Sequence, residues 1–182
     1  MDPAPARAFD LLQDLDRLAR GRRRVLPVHE EPREEWLGVG FRLGSHTLVA
    51  AMDQVAEVVG VPAMARIPGV KPWVLGLANL RGRLIPVMDL YRFLYGIERR
   101  GPETTARRVI VIDADGLVSG LVVDGVVGMR HFWLDERAGA PSGLDESLAP
   151  YVRCSFPMGQ ERVGVFDFGR LAQSEAFKDV AL

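Results

Sequence analysis

Lysine is almost missing from this 182-residue chain, with two against 21 arginines. Either composition bias or a use for planar, bidentate contacts at interfaces accounts for the imbalance. Cys154 is the sole cysteine, which rules out an intramolecular disulfide and suits a reducing compartment. No run approaches the ~18 consecutive apolar residues of a membrane helix. The start, Met1-Asp2-Pro3, lacks the basic and apolar blocks of a signal peptide, so a cytoplasmic protein with no membrane insertion is expected. The formal net charge of -1 gives no whole-domain electrostatic grip on nucleic acid. The basic run Arg22–Arg24 stands alone without interleaved aromatics, so no nucleic-acid partner is expected.

Catalytic patterns are also missing. The chain has no phosphate-binding P-loop and no G-x-S-x-G nucleophile elbow. Gly38-Val39-Gly40 imitates the start of a dinucleotide fingerprint, but position 43 is leucine and the glycines alternate with apolar residues, as in a strand. His29, His46 and His131 form no H-x-x-x-H pair, and one cysteine cannot complete a usual structural zinc site. Cys154 lies in an apolar strand pattern with Val152 and Phe156, where a thiol is inert packing. Asp113 and Asp115 fall in a turn, and Glu30, Glu31, Glu34 and Glu35 fall in or beside a linker, so neither group forms an acid–base pair. The expectation is a protein without catalytic site, metal or cofactor.

What the chain does have is apolar side chains, 48% of residues, in short runs. A chain this long buries roughly two-thirds of its unfolded surface and needs no cross-link to fold. Phe9, Leu12, Leu15 and Leu18 recur at helical spacing, predicting a helix over residues 6–20 that Gly21 ends. Pro27 and Pro32 mark a linker over residues 25–35.

From there the period becomes two. Leu37, Val39, Phe41 and Leu43 alternate with smaller or polar residues, predicting a strand. Further strands are expected at Leu48–Met52 and Val55–Val59, and a helical turn at Trp73–Leu75 behind Pro72. Two apolar runs flank Arg81-Gly82 and predict a β-hairpin over residues 77–88, with Gly82 taking the unusual backbone angle. Asp89 caps a helix ending at Gly96, and residues 97–106 form a polar connector. Strands at Val109–Ile112, Leu117–Val123, Tyr151–Phe156 and Arg162–Phe166 follow, and Asp167 starts a final helix.

The halves echo one another. Residues 87–93 and 165–171 each read strand, capping Asp and short helix, with Arg92 and Arg170 at the same offset. Many short strands at roughly 8–12-residue spacing suggest two small barrels or sheets. Arg81 stands at the hairpin tip, where its plainer role is a solvated turn and its functional one an interface anchor.

The segment Gly76-Leu77-Ala78-Asn79-Leu80-Arg81-Gly82-Arg83-Leu84-Ile85-Pro86-Val87-Met88-Asp89-Leu90 resembles the signature of the CheW family of chemotaxis coupling proteins. Gly120-Leu121-Val122-Val123-Asp124-Gly125-Val126 resembles its second signature, and the likeness spans about residues 36–175. The resemblance implies a mainly β fold of two five-stranded SH3-like barrels, with short helices added to the N-terminal one. It divides the chain into 1–35, a domain 36–176 and a tail 177–182, with the halves parting near 97–106 unless they intertwine. It implies an adaptor between a chemoreceptor tip and the regulatory domain of a CheA-like histidine kinase, located at membrane-bound receptor arrays. The binding residues it implies are Arg81 with Asn79 and Gly82, Val55 and Glu57 after the second strand, and Val122 and Val123 near a groove between the barrels. The N-terminal helix, Pro68-Gly69-Val70-Lys71-Pro72-Trp73-Val74 and the ending Phe177–Leu182 resemble the members that control type IV pili and twitching motility. A flagellar-type coupling protein is the alternative. A small β-barrel enzyme or oligonucleotide binder is the reading from another class.

Overall fold

The alternating runs do pair into sheets. The structure, a computed structural model, describes residues 33–98, 105–114 and 116–182. The helix expected over 6–20 lies outside the described residues. Strands β1 (Glu35–Leu43) and β2 (His46–Ala51) form a hairpin, and a 3-10 turn leads to β3 (Val55–Gly60). β4 (Val74–Leu80) and β5 (Arg83–Asp89) form the predicted hairpin, followed by helix α1 (Leu90–Tyr95). β6 (Arg108–Ala114), β7 (Leu117–Val123), β8 (Gly125–Trp133) and the two-residue β9 (Ala138–Gly139) come next. β10 (Val152–Met158), β11 (Glu161–Phe166) and helices α2 (Phe168–Gln173) and α3 (Glu175–Lys178) complete the chain. Trp73–Leu75 is not a helical turn. Val74 already pairs with Met88, because the β5 ladder extends to that point.

The strands make two sheets, ordered β3-β6-β7-β5-β4 and β8-β1-β2-β11-β10-β9. The two orders share one topology. In each, an antiparallel run of three strands meets the second strand of a hairpin in parallel, β7 with β5 and β2 with β11. Each hairpin then ends on an aspartate whose side chain accepts a hydrogen bond from the backbone N–H three residues on, Asp89 from Arg92 and Asp167 from Arg170. The echo between residues 87–93 and 165–171 is therefore structural.

Each sheet also closes in the same way. The chain leaving β3 returns at Ala65, whose N–H donates to Leu77 O at 2.9 Å and whose carbonyl accepts from Leu77 N at 2.9 Å. The chain leaving β8 returns as β9 beside β10. An edge strand that bends back onto the far edge removes the unpaired ladder and makes a small barrel. Gly76 permits the first closure. Its φ is +149°, and a Cβ there would stand 2.3 Å from Ala65 O. Gly76→Ala is expected to lower stability by about 3 kcal/mol through backbone strain and loss of the Ala65 bridge, read as a lower unfolding midpoint in denaturant.

The sequence placed the division between halves near 97–106 unless the halves intertwine. That connector instead joins α1 to β6 within the same five-stranded barrel. The chain passes into this barrel at Met52–Gln54 and out at Asp124, so one barrel is inserted into the other. Asp124 fixes the exit, with its N–H donating to Arg42 O at 3.0 Å and its carboxylate accepting from Gly44 N at 2.6 Å. Residues 177–182, set apart in the sequence as a tail, are tied down as well. Phe177 is buried and stacks on Trp73 at 5.5 Å, and Lys71 pairs with Asp179 at 2.7 Å.

Alternation sends side chains to three cores. Val109, Val111 and Val122 fill the five-stranded barrel with Ile85 and Val87. Val49, Phe132, Phe156 and Val163 fill the other. Between them, Phe41, Leu48, Phe166 and Phe168 meet Ile110, Ile112, Leu121 and Val123 in one shared cluster. Central strands are therefore covered on both faces, which is why Val109–Ile112 and Leu121–Val123 read as unbroken apolar runs.

A polar clasp adds to this seam. Asp145 accepts from Tyr95 OH at 2.8 Å and meets His46 Nε2 at 2.9 Å. The hydrogen bonds from His46 and Tyr95 hold the Asp145 carboxyl below its ordinary range. A depressed folded pKa contributes stability above the unfolded pKa that is lost as pH falls through the folded one. Between about pH 5 and pH 2, Asp145→Asn is expected to lose less stability than the wild type in parallel denaturant titrations.

Candidate functional site

The β4–β5 hairpin turns on Arg81 and Gly82, with φ of 52° and 83°. Two left-handed central residues make a type I′ turn, whose twist matches the flanking strands. Gly82 adopts this conformation freely, but arginine does not, at a cost of roughly 1–2 kcal/mol. Arg81 is the only non-glycine residue with positive φ among the described residues. Asn79 holds the turn, its Oδ1 accepting from Gly82 N at 2.9 Å.

Arg81 is 80% exposed, and its Nη2 donates to Glu57 Oε1 at 2.7 Å. Barrel closure makes this pair, because it brings the β3 arm of the chain against the edge of β4. An ion pair this exposed contributes little to stability. Arg81 thus combines a strained backbone with an exposed guanidinium that adds little to the fold. Across the hairpin from Asn79 stands Leu84, 70% exposed. β3 adds exposed Val58, with Val61 just beyond it. The sequence reading took Leu84 as part of the apolar flank. Its phase could have identified it, since Ile85 and Val87 point into the barrel and Leu84 must point out.

Arg81, Asn79, Gly82 and Glu57 thus come together, as one turn and its ion-pair partner. Val55 does not join them, being half-buried against the shared core. Val122 and Val123 are corrected: they are 3% and 0% exposed, within the barrel core and the shared core. Their strand β7 lies between β6 and β5 with both faces covered, so neither presents a surface to a partner.

Other chemistry-bearing groups are engaged in structure. His131 Nδ1 meets Glu35 Oε1 at 2.6 Å. Burial pushes the Cys154 thiol up, away from the nucleophilic thiolate. Among the described residues no cluster of His, Cys, Asp and Glu could hold a metal ion, and no helix is long and apolar enough to cross a membrane.

Two interleaved small barrels with an exposed arginine turn describe a protein that offers surface. Residues 37–176 match the CheW-like domain, and the chain belongs to this family of coupling and scaffolding proteins. It is 41% identical to Protein PilI of Pseudomonas aeruginosa over 174 residues, covering 96% of each chain. It is 31% identical to Protein FrzA of Myxococcus xanthus, covering 87% of this chain and 97% of that one. The fold matches the scaffolding protein TtCheW from Thermoanaerobacter tengcongensis with a TM-score of 0.67 at 24% identity, over 79% of this chain and 96% of that one.

Proposed function

We propose that this protein is the adaptor of a chemosensory array that controls type IV pili. It couples the tip of a chemoreceptor to the regulatory domain of a CheA-like histidine kinase, in the cytoplasm beneath membrane-bound receptors. The observation that carries the docking role is Arg81: an exposed guanidinium on a strained turn, flanked by Leu84 and oriented by Glu57. Arginine beside an exposed apolar side chain is the composition of an interface anchor. The pilus assignment draws on the 41% identity to PilI across nearly the whole chain.

A flagellar-type coupling role is the second reading, drawing on 27% identity to the chemotaxis protein CheW of Klebsiella aerogenes over 74% of this chain. Disruption of the gene separates them. Loss of surface twitching with swimming intact supports the pilus system, and loss of swimming alone overturns it.

A further inference from the structure

A cleft of about 570 Å³ opens in the six-stranded barrel, the barrel that does not carry the Arg81 hairpin. Its volume is in the range of small-molecule sites, roughly 300–1,000 Å³. The half-buried Trp36 forms part of its wall, backed by the buried Phe156 stacked on it at 4.9 Å, and Leu134 extends the apolar surface. Arg137 and Arg153 line the same cleft, with the Cys154 thiol in its wall.

Among the described residues, Asp167 is the only carboxylate of the lining. It is already engaged, accepting from Gln54 Nε2 at 3.1 Å, Arg170 N at 3.2 Å and Arg153 Nη1 at 3.4 Å. Burial raises its pKa, but these donors outweigh burial and hold it below the ordinary range, so it stays ionised and paired. Arg137 is different. Its backbone N–H closes the 3-10 turn on Leu134 O at 3.2 Å, while its side chain has no hydrogen bond or ion pair among the described residues. Arg137, a guanidinium without an ion-pair partner among the described residues, therefore lines the same cleft as the half-buried Trp36 indole, a combination that matches an anion with a flat apolar body.

We propose that this cleft binds a small planar apolar molecule carrying one carboxylate or sulfonate, with Arg137 holding the anion and the half-buried Trp36 indole receiving the ring. The site is independent of the docking role assigned to Arg81, since it lies in the other barrel and uses none of the same residues.

The test uses the full chain and two probes, the anionic dye anilinonaphthalene sulfonate and its uncharged analogue N-phenylnaphthylamine. Cys154 is the sole cysteine, so its alkylation by iodoacetamide, followed by intact mass, reports only on this cleft. The expected result is saturable binding of one dye that slows Cys154 alkylation about fivefold or more at saturation. Arg137→Ala weakens the dye by about tenfold, and the uncharged analogue binds weaker than the dye by a similar factor. Arg137 is exposed and makes no side-chain bond among the described residues, so this variant is expected to melt as the wild type does. Unsaturable fluorescence, an alkylation rate that ignores the dye, or equal binding of the two probes would overturn the proposal.

Discussion

Arg81→Glu is expected to weaken binding to the regulatory domain of the proposed kinase partner at least tenfold, about 1.4 kcal/mol, in a calorimetric titration, and to leave the melting temperature close to that of the wild type. The argument rests on the separation of fold from contact at this position. Arg81 is 80% exposed, and its one described side-chain partner is Glu57 across an exposed ion pair. Removing that pair costs the fold a fraction of a kcal/mol at most. Reversing the charge also sets two carboxylates, those of Glu57 and the new glutamate, side by side at the turn. Arg81→Asn is the sharper control. Asparagine tolerates the left-handed conformation that arginine adopts at φ 52°, so this variant keeps or slightly raises stability while losing the guanidinium. A loss of affinity with no loss of stability identifies a side chain retained for binding. Affinity unchanged in both variants would remove Arg81 from the interface.

Phe41→Ala is expected to have the larger effect on the fold, about 3–5 kcal/mol, or a fall in melting temperature of roughly 6–20 °C. Phe41 is fully buried, stacks on Phe168 at 5.9 Å and meets the edge of Phe166 at 6.0 Å. Its cluster draws on both barrels, with Ile110, Ile112, Leu121 and Val123 supplied by the five-stranded one. Both barrels should therefore weaken together, although Phe41 belongs to only one of them. Native-state hydrogen exchange checks this. Amides of β7 and β10 should lose protection by the same amount in the variant. If β10 alone weakens and β7 keeps its protection, the shared core does not couple the barrels.

The local elements were legible because each has a strong short-range cause. The hairpin over residues 77–88 announced itself through two apolar runs around Arg81-Gly82, and the capped helices through Asp89 and Asp167. Period two in β1 and the apolar runs of β6 and β7 are the direct trace of one-sided and two-sided burial. The error at Trp73–Leu75 has the opposite origin. Pro72 is a local signal for a helix start, but pairing of Val74 with Met88 is a long-range gain that outweighs it.

The candidate site was half legible. The resemblance identified Arg81 and Glu57 separately, 24 residues apart. That they touch depends on the return of the chain at Ala65, which no local pattern encodes. Val122 and Val123 show the reverse case, since apolar residues of one type can line a groove or fill a core. Only their place in a central strand shows that they fill cores.

By itself, then, the sequence determined most of the strands, though not β8 or β9, together with the turn, the caps and the family, because these depend on neighbours a few residues away. Tertiary structure decided the rest: the insertion of one barrel into the other, the shared core around Phe41, the Arg81–Glu57 pair and the cleft beside Arg137. These depend on which distant strands meet, and the same alternating pattern of apolar side chains is compatible with many such meetings. Burial of both faces of the central strands selects among them.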